Sequence, residues 1–127
     1  MSIQGTYRGG LVNPSDITRL TTTSATTIFT AVNSSQTLAG FSLANETASA
    51  VIVACHFNDG TTDFLFFRRS VPANDTVIVT DIPIRMRSGD SFKVTAATGN
   101  AITVAPVMLE NFSNEVAYGA GSNSLAR

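Results

Sequence analysis

Residues 71–95 read V-P-A-N-D-T-V-I-V-T-D-I-P-I-R-M-R-S-G-D-S-F-K-V-T, and this stretch decides the fold class. It spells strand, turn, strand, turn, strand. Pro72-Ala73-Asn74-Asp75 and Arg87-Ser88-Gly89-Asp90 carry the residue types that turns require. Residues 76–80 and 91–95 alternate and are rich in β-branched side chains, which suit a pleated, half-buried surface. No residue of the stretch brings covalent chemistry.

The same grammar extends in both directions. Upstream, residues 49–57 (S-A-V-I-V-A-C-H-F) form a nearly continuous apolar run, which predicts a central strand buried on both faces. Asn58-Asp59-Gly60 signals a hairpin, and 61–71 is its return strand. Residues 37–44 alternate with Leu38, Phe41 and Leu43 as apolar positions, and Gly40 marks a bulge. Asn45-Glu46-Thr47-Ala48 is a turn, and 17–31 reads as two short strands broken near Ser24. Downstream, Gly99-Asn100 predicts a two-residue turn before a last strand at 101–109, where Pro106 implies a sheet edge or a bulge. Turn signals at roughly 8–12-residue spacing predict an all-β fold. The expectation is a single antiparallel β-sandwich, immunoglobulin-like or jelly-roll-like, over residues 17–110. Residues 1–16 and 111–127, polar and Gly-bearing, read as extended N- and C-terminal arms.

At 127 residues the chain is long enough for one ordinary core. Charged residues make up 13%, about half the usual ~25%, and Thr and Ser take their place. Such a surface suits a protein largely covered by neighbours. The net charge is −1, which argues against nucleic acid as the main partner. Seven Arg against one Lys favours protein–protein contact, since Arg forms forked contacts at interfaces where Lys is depleted. The single cysteine excludes an intrachain disulfide. The first ten residues carry no leader-like apolar stretch, and no run approaches the ~18 apolar residues of a membrane helix. Synthesis and folding in a reducing cytosol, with no membrane partner, is the expectation.

A search for reaction centres returns little. Cys55 and His56, each the only residue of its type, are adjacent on a strand and therefore point to opposite faces. They cannot form a nucleophile–base pair, nor by themselves a zinc site. Asp59, Asp63, Asp75, Asp81 and Asp90 sit in or beside turns without calcium-loop spacing. Trp is absent and there are two Tyr, which weakens a carbohydrate-binding reading. Phe64, Phe66 and Phe67 with Arg68 and Arg69 form the densest aromatic–basic cluster, read as core on one side and interface on the other. Asn33, Asn45, Asn74 and Asn111 head glycosylation-type triplets at the frequency that chance gives in a Ser/Thr-rich chain. No catalytic residue, metal or cofactor is expected.

The segments I-F-T-A from Ile28, L-A-G-F-S-L-A-N-E-T-A-S-A-V-I-V, residues 71–96 and I-T-V-A-P-V-M-L-E resemble a small β-sandwich found among structural proteins of tailed bacteriophages. The resemblance spans about two-thirds of the chain, from Ile28 to Glu110, and leaves out both arms. It implies a non-enzymatic virion part, on the outer capsid surface or at the neck or tail. The expected role is a capsid cement or decoration protein bound to the major capsid protein. A homo-oligomer, a trimer or a dimer, is expected. A neck, tail or head-fibre component is the alternative, and a receptor- or glycan-binding module is the alternative of another class. Contacts are expected from residues 2–14 and 111–127, with Tyr7, Arg8, Leu11, Phe112, Tyr118 and Arg127 among them. Arg68, Arg69, Arg85 and Arg87 are further interface candidates.

Overall fold

The computed structural model of the protein describes residues 12–34 and 36–110. Its strands are β1 (Thr18–Arg19), β2 (Thr26–Thr30), β3 (Gln36–Asn45), β4 (Val51–Asn58), β5 (Asp63–Val71), β6 (Thr76–Val79), β7 (Ile84–Met86), β8 (Ser91–Ala96) and β9 (Ile102–Glu110). Among the described residues, a 3-10 turn, Pro14–Asp16, precedes β1 inside the segment read as an arm. Asn13 caps it by accepting the Ser15 amide at 3.1 Å, and Pro14 supplies a preset φ at its start.

Two antiparallel sheets pack face to face. One has the order β1-β9-β3-β6, with β7 also on β3, and is termed the β3 sheet below; the other, the β4 sheet, has the order β2-β8-β4-β5. β9 pairs along β3 from Gln36 to Asn45, so β6 and β7 must share the opposite flank of β3. They are one strand interrupted at Asp81-Ile82-Pro83, where the proline removes a backbone donor. Apart from this break, only the β4–β5 hairpin joins neighbours within a sheet, and every other connection crosses between sheets. Such crossing in two four-stranded layers is the jelly-roll arrangement, not the immunoglobulin one.

Gly99-Asn100 form a turn, as expected, and this turn carries the chain from β8 in one sheet to β9 in the other. Asn100 takes φ 59 and donates its amide to the Leu20 carbonyl at 2.8 Å. The turns at Pro72–Asp75 and Arg87–Asp90 are also bridges between sheets, with positive φ at Asn74 (53) and Gly89 (93).

The core lies between the sheets. Leu38, Phe41, Leu43, Val77, Val79, Met86, Ile102 and Val104 project from the β3 sheet, and Ile28, Val51, Val53, Cys55, Val71, Phe92 and Val94 from the β4 sheet. Burying each large apolar side chain contributes about 1.5–3 kcal/mol. Phe41 is the keystone. Its ring meets Phe67 edge-on at 5.5 Å and Phe66 edge-on at 6.3 Å, and lies 5.1 Å from Phe92. Two consecutive phenylalanines reach one core because β5 is irregular. Cys55 pairs with Phe67 and His56 with Leu65, which leaves Phe66 as the extra residue of a bulge.

β4 is central in its sheet but buried on one face only, contrary to expectation. Val51, Val53 and Cys55 are enclosed, whereas Ile52 is 48% exposed. The predicted bulge at Gly40 is present, as the β3–β9 register shifts between Leu38 and Gly40. The backbone of β6 passes so close that a Cβ on Gly40 would lie 2.6 Å from the Val79 carbonyl oxygen. Pro106 sits on β9 past the short cover of β1, which pairs only with Thr103 and Val104. It therefore falls where that flank of β9 has no described partner strand, and the expectation of an edge holds locally.

Candidate interaction surfaces

Alternation fixes what each sheet turns outward, because directly opposed residues of an antiparallel pair share a face. On the β3 sheet, the rows Thr76–Ala44–Thr103–Arg19, Ile78–Ser42–Ala105 and Arg85–Thr37–Leu109 face out. The middle of this surface is small and uncharged, and Ile78 is 70% exposed on it. Its two arginines lie at opposite corners and are engaged. Arg19 pairs with Glu46, and Arg85 donates to the Ser34 carbonyl at 3.3 Å.

The outer face of the β4 sheet differs. Its rows are Thr27–Lys93–His56–Leu65, Thr95–Ala54–Arg68 and Thr30–Ser91–Asn58–Asp63. The chain's only lysine and only histidine are thus cross-strand neighbours. Lys93 Nζ lies 3.5 Å from Asp63 Oδ1, and Asn58 Nδ2 donates to the same oxygen at 2.6 Å. The Asn58 hydrogen bond, with Lys93 adding to it, holds the Asp63 carboxyl below its ordinary range. At the hairpin tip, the Thr62 and Thr61 amides do the same for Asp59.

The aromatic–basic cluster of β5 is divided by burial. Phe66 and Phe67 are partly buried and pack against the core, whereas Phe64 and Leu65 are 50% and 53% exposed. Arg68 stands opposite Ala54 on the outer face, and Arg69 stands opposite Val53 at the rim of the inner face. Both are exposed, and neither has a hydrogen-bond or ion-pair partner among the described residues. Arg87 instead serves the fold. Its amide donates at 2.7 Å, and its Nε at 3.4 Å, to the buried carboxylate of Asp90. The four arginines therefore do not form one patch. Tyr7, Arg8, Leu11, Phe112, Tyr118 and Arg127 lie outside the described residues.

Cys55 is enclosed, and burial pushes its thiol up to about 12, which leaves it a poor nucleophile at neutral pH. His56 lies on the opposite side of the sheet, its Nδ1 buried without a partner. Among the described residues no three His, Cys, Asp or Glu side chains converge as a metal site. No helix of the described residues is long and apolar enough to cross a membrane.

Two roles were not read from the sequence, that of Asn45 and that of Leu65. Asn45 reads there as part of a turn and of a glycosylation triplet, yet its side chain is buried and organises two crossings between the sheets. Its Nδ2 donates to the carbonyls of Ser49 (2.8 Å), Val71 (3.1 Å) and Pro72 (3.2 Å), and its Oδ1 accepts from the Thr47 amide at 2.9 Å. Leu65, exposed beside Phe64, was hidden in the apolar run of β5. The signal for it was the loss of alternation in F-L-F-F. Comparison of the chain with protein-family models, curated proteins and solved structures found no match.

Proposed function

We propose that this protein is a non-enzymatic virion structural protein, a capsid cement or decoration protein that binds the outer capsid lattice. The observation that carries this reading is the outer face of the β3 sheet. It is broad and uncharged between Arg19 and Arg85, a surface suited to lying against another protein. Segments 1–16 and 111–127 flank this sheet in sequence, since β1 follows the first and β9 precedes the second. The phage-like segments quoted above support the virion setting.

The mechanism is multivalent. The sandwich face and the two segments each contact the major capsid protein or a sister copy, and release requires all contacts to break together. Because the protein binds the assembled shell and not its dissociated parts, mass action stabilises the shell.

The test is the copy number of this chain in purified particles relative to the major capsid protein. A ratio near one, or a simple lattice fraction, is expected. A dozen or fewer copies per particle would reject the cement role and place the protein at the neck, tail or head fibre. Absence from particles would reject the virion reading and leave a receptor- or glycan-binding module.

A further inference from the structure

Among the described residues, β5 is the longest strand at the end of a sheet, and one of its flanks has no partner along its whole length, whereas β9 is capped in part by β1. It has nine residues, against two in β1, five in β2, and four and three in the interrupted pair β6 and β7. β5 is neither short nor interrupted by proline; it does carry a bulge at Phe66 and charges at Asp63, Arg68 and Arg69, which discourage pairing with most strands, so a partner strand has to match them. It carries exposed Phe64 and Leu65, and Ile52 beside it on β4 is exposed as well. Its charges are segregated, with Asp63 near one end and Arg68 and Arg69, without a partner among the described residues, near the other.

This segregation is self-complementary. The bulge at Phe66 shifts the phase of alternation, so that Asp63 and Arg68 both stand on the outer face while Phe64 and Phe67 both stand on the inner one. A two-fold axis between Leu65 and Phe66 opposes Asp63 to the other copy's Arg68, and Phe64 to the other copy's Phe67. Each opposed pair then shares a face, as an antiparallel ladder requires. Both bulges meet at the axis, where the ladder is interrupted once. A parallel pairing in register would instead set arginine beside arginine. A closed two-fold contact also uses up the edge and prevents open-ended growth.

We infer that β5 is a homodimerisation edge, which joins two copies antiparallel into one continuous sheet through their β4 sheets. A single shared strand buries less than the area of a typical stable interface, so the dimer forms at high protein concentration and weakens with salt. The inference concerns the purified chain and does not rest on the virion role. That role can fail while the dimer stands, and the reverse.

The experiment is sedimentation velocity of the full chain from micromolar to millimolar concentration at low salt. Wild type is expected to dimerise. Arg68→Glu sets a second carboxylate against Asp63 twice across the axis, and Asp63→Arg sets a second guanidinium against Arg68 twice. Each variant alone is expected to bind its own copy at least ~10-fold more weakly. An equimolar mixture of the two restores attraction at both ends and is expected to recover the dimer, a result that general loss of stability cannot produce. Circular dichroism confirms that each variant is folded. Leu65→Lys, at an exposed position, is a second disruptive variant and is expected to give a monomer. A wild type that is monomeric throughout, a dimer that survives all three substitutions, or variants that fail to associate on mixing would each overturn the inference.

Discussion

The β3 and β4 sheets share one core, yet they meet their surroundings in opposite ways. The β3 sheet turns outward a face that is uncharged between Arg19 and Arg85, and its end strands are short, β1 with two residues and β6 and β7 separated by a break, although β9 has no described partner past β1. The β4 sheet carries Lys93, His56, Asp63 and Arg68 outward and ends in a nine-residue open strand. The first is an uncharged face with short end strands, and the second is a long end strand beside a charged face. A single sandwich can therefore offer a flat docking surface on one side and a directional, charge-coded contact on the other.

The largest expected effect tests whether the two sheets are one cooperative body. Phe41 projects from the β3 sheet into three rings of the β4 sheet, so Phe41→Ala should cost about 3–5 kcal/mol, a large share of the ~5–15 kcal/mol of a typical domain. Cys55, sealed within the β4 sheet, provides a reporter through thiol labelling in denaturant. Amide exchange on β9 reports the other sheet. The two probes should shift together. Separate transitions would mean that each sheet holds its own stability, and the contrast drawn above would be between two units.

Next in size is Asn45, which ties the β3–β4 crossing to the β5–β6 crossing. Asn45→Ala leaves buried carbonyls unsatisfied and should cost about 2–3 kcal/mol in urea unfolding. Asn45→Asp should be worse, because it places a carboxylate against the carbonyl oxygens of Ser49, Val71 and Pro72. An aspartate variant as stable as wild type would show that this network does not hold the crossings together.

Gly40→Ala sharpens the comparison at the β3 sheet alone. The added methyl meets the Val79 carbonyl oxygen, a backbone atom that can move only with β6. A cost of about 1–3 kcal/mol is expected, with faster amide exchange confined to β6 and its neighbours on β3. Equal loosening of β5 would show that the edges are not independent.

The sequence disclosed some of this and concealed the rest for physical reasons. Pro72-Ala73-Asn74-Asp75 and Arg87-Ser88-Gly89-Asp90 mark turns because turn chemistry acts on φ, and φ is local. Which sheet the next strand joins is decided by non-local packing, so Gly99-Asn100 read as a turn without disclosing that the turn crosses between the sheets. The apolar run at β4 suggested burial on both faces, but Ile52 and Ala54 face outward, as an apolar residue on a charge-poor surface raises no local signal. Of the interface candidates, Arg68 and Arg69 share a strand, as adjacent numbers require, while Arg85 and Arg87 lie beyond an intervening crossing and are used within the fold. The bulge at Phe66 was implicit in F-L-F-F, since three phenylalanines in four positions cannot share one face of a regular strand.

The smallest expected effect is a pH dependence confined to the β4–β5 hairpin. Asp59 and Asp63 both titrate below the ordinary carboxylate value of 3.8 in the folded protein, Asp59 through the Thr62 and Thr61 amides and Asp63 through Asn58 and Lys93. A depressed folded pKa stabilises the native state above the unfolded pKa, and the contribution is lost as pH falls through the folded value. Below about pH 4, therefore, amides at the hairpin tip and along β5 should exchange faster, while those of the β3 sheet keep their protection. Both carboxylates are solvent-exposed, so the change should be small beside that of Phe41→Ala. Asp63→Asn should make the β5 end largely insensitive to acid, and Asp59→Asn should do so for the tip. Equal acid sensitivity of the two sheets, or persistence of the effect in both variants, would place the titrating groups elsewhere and remove the electrostatic half of the contrast between the sheets.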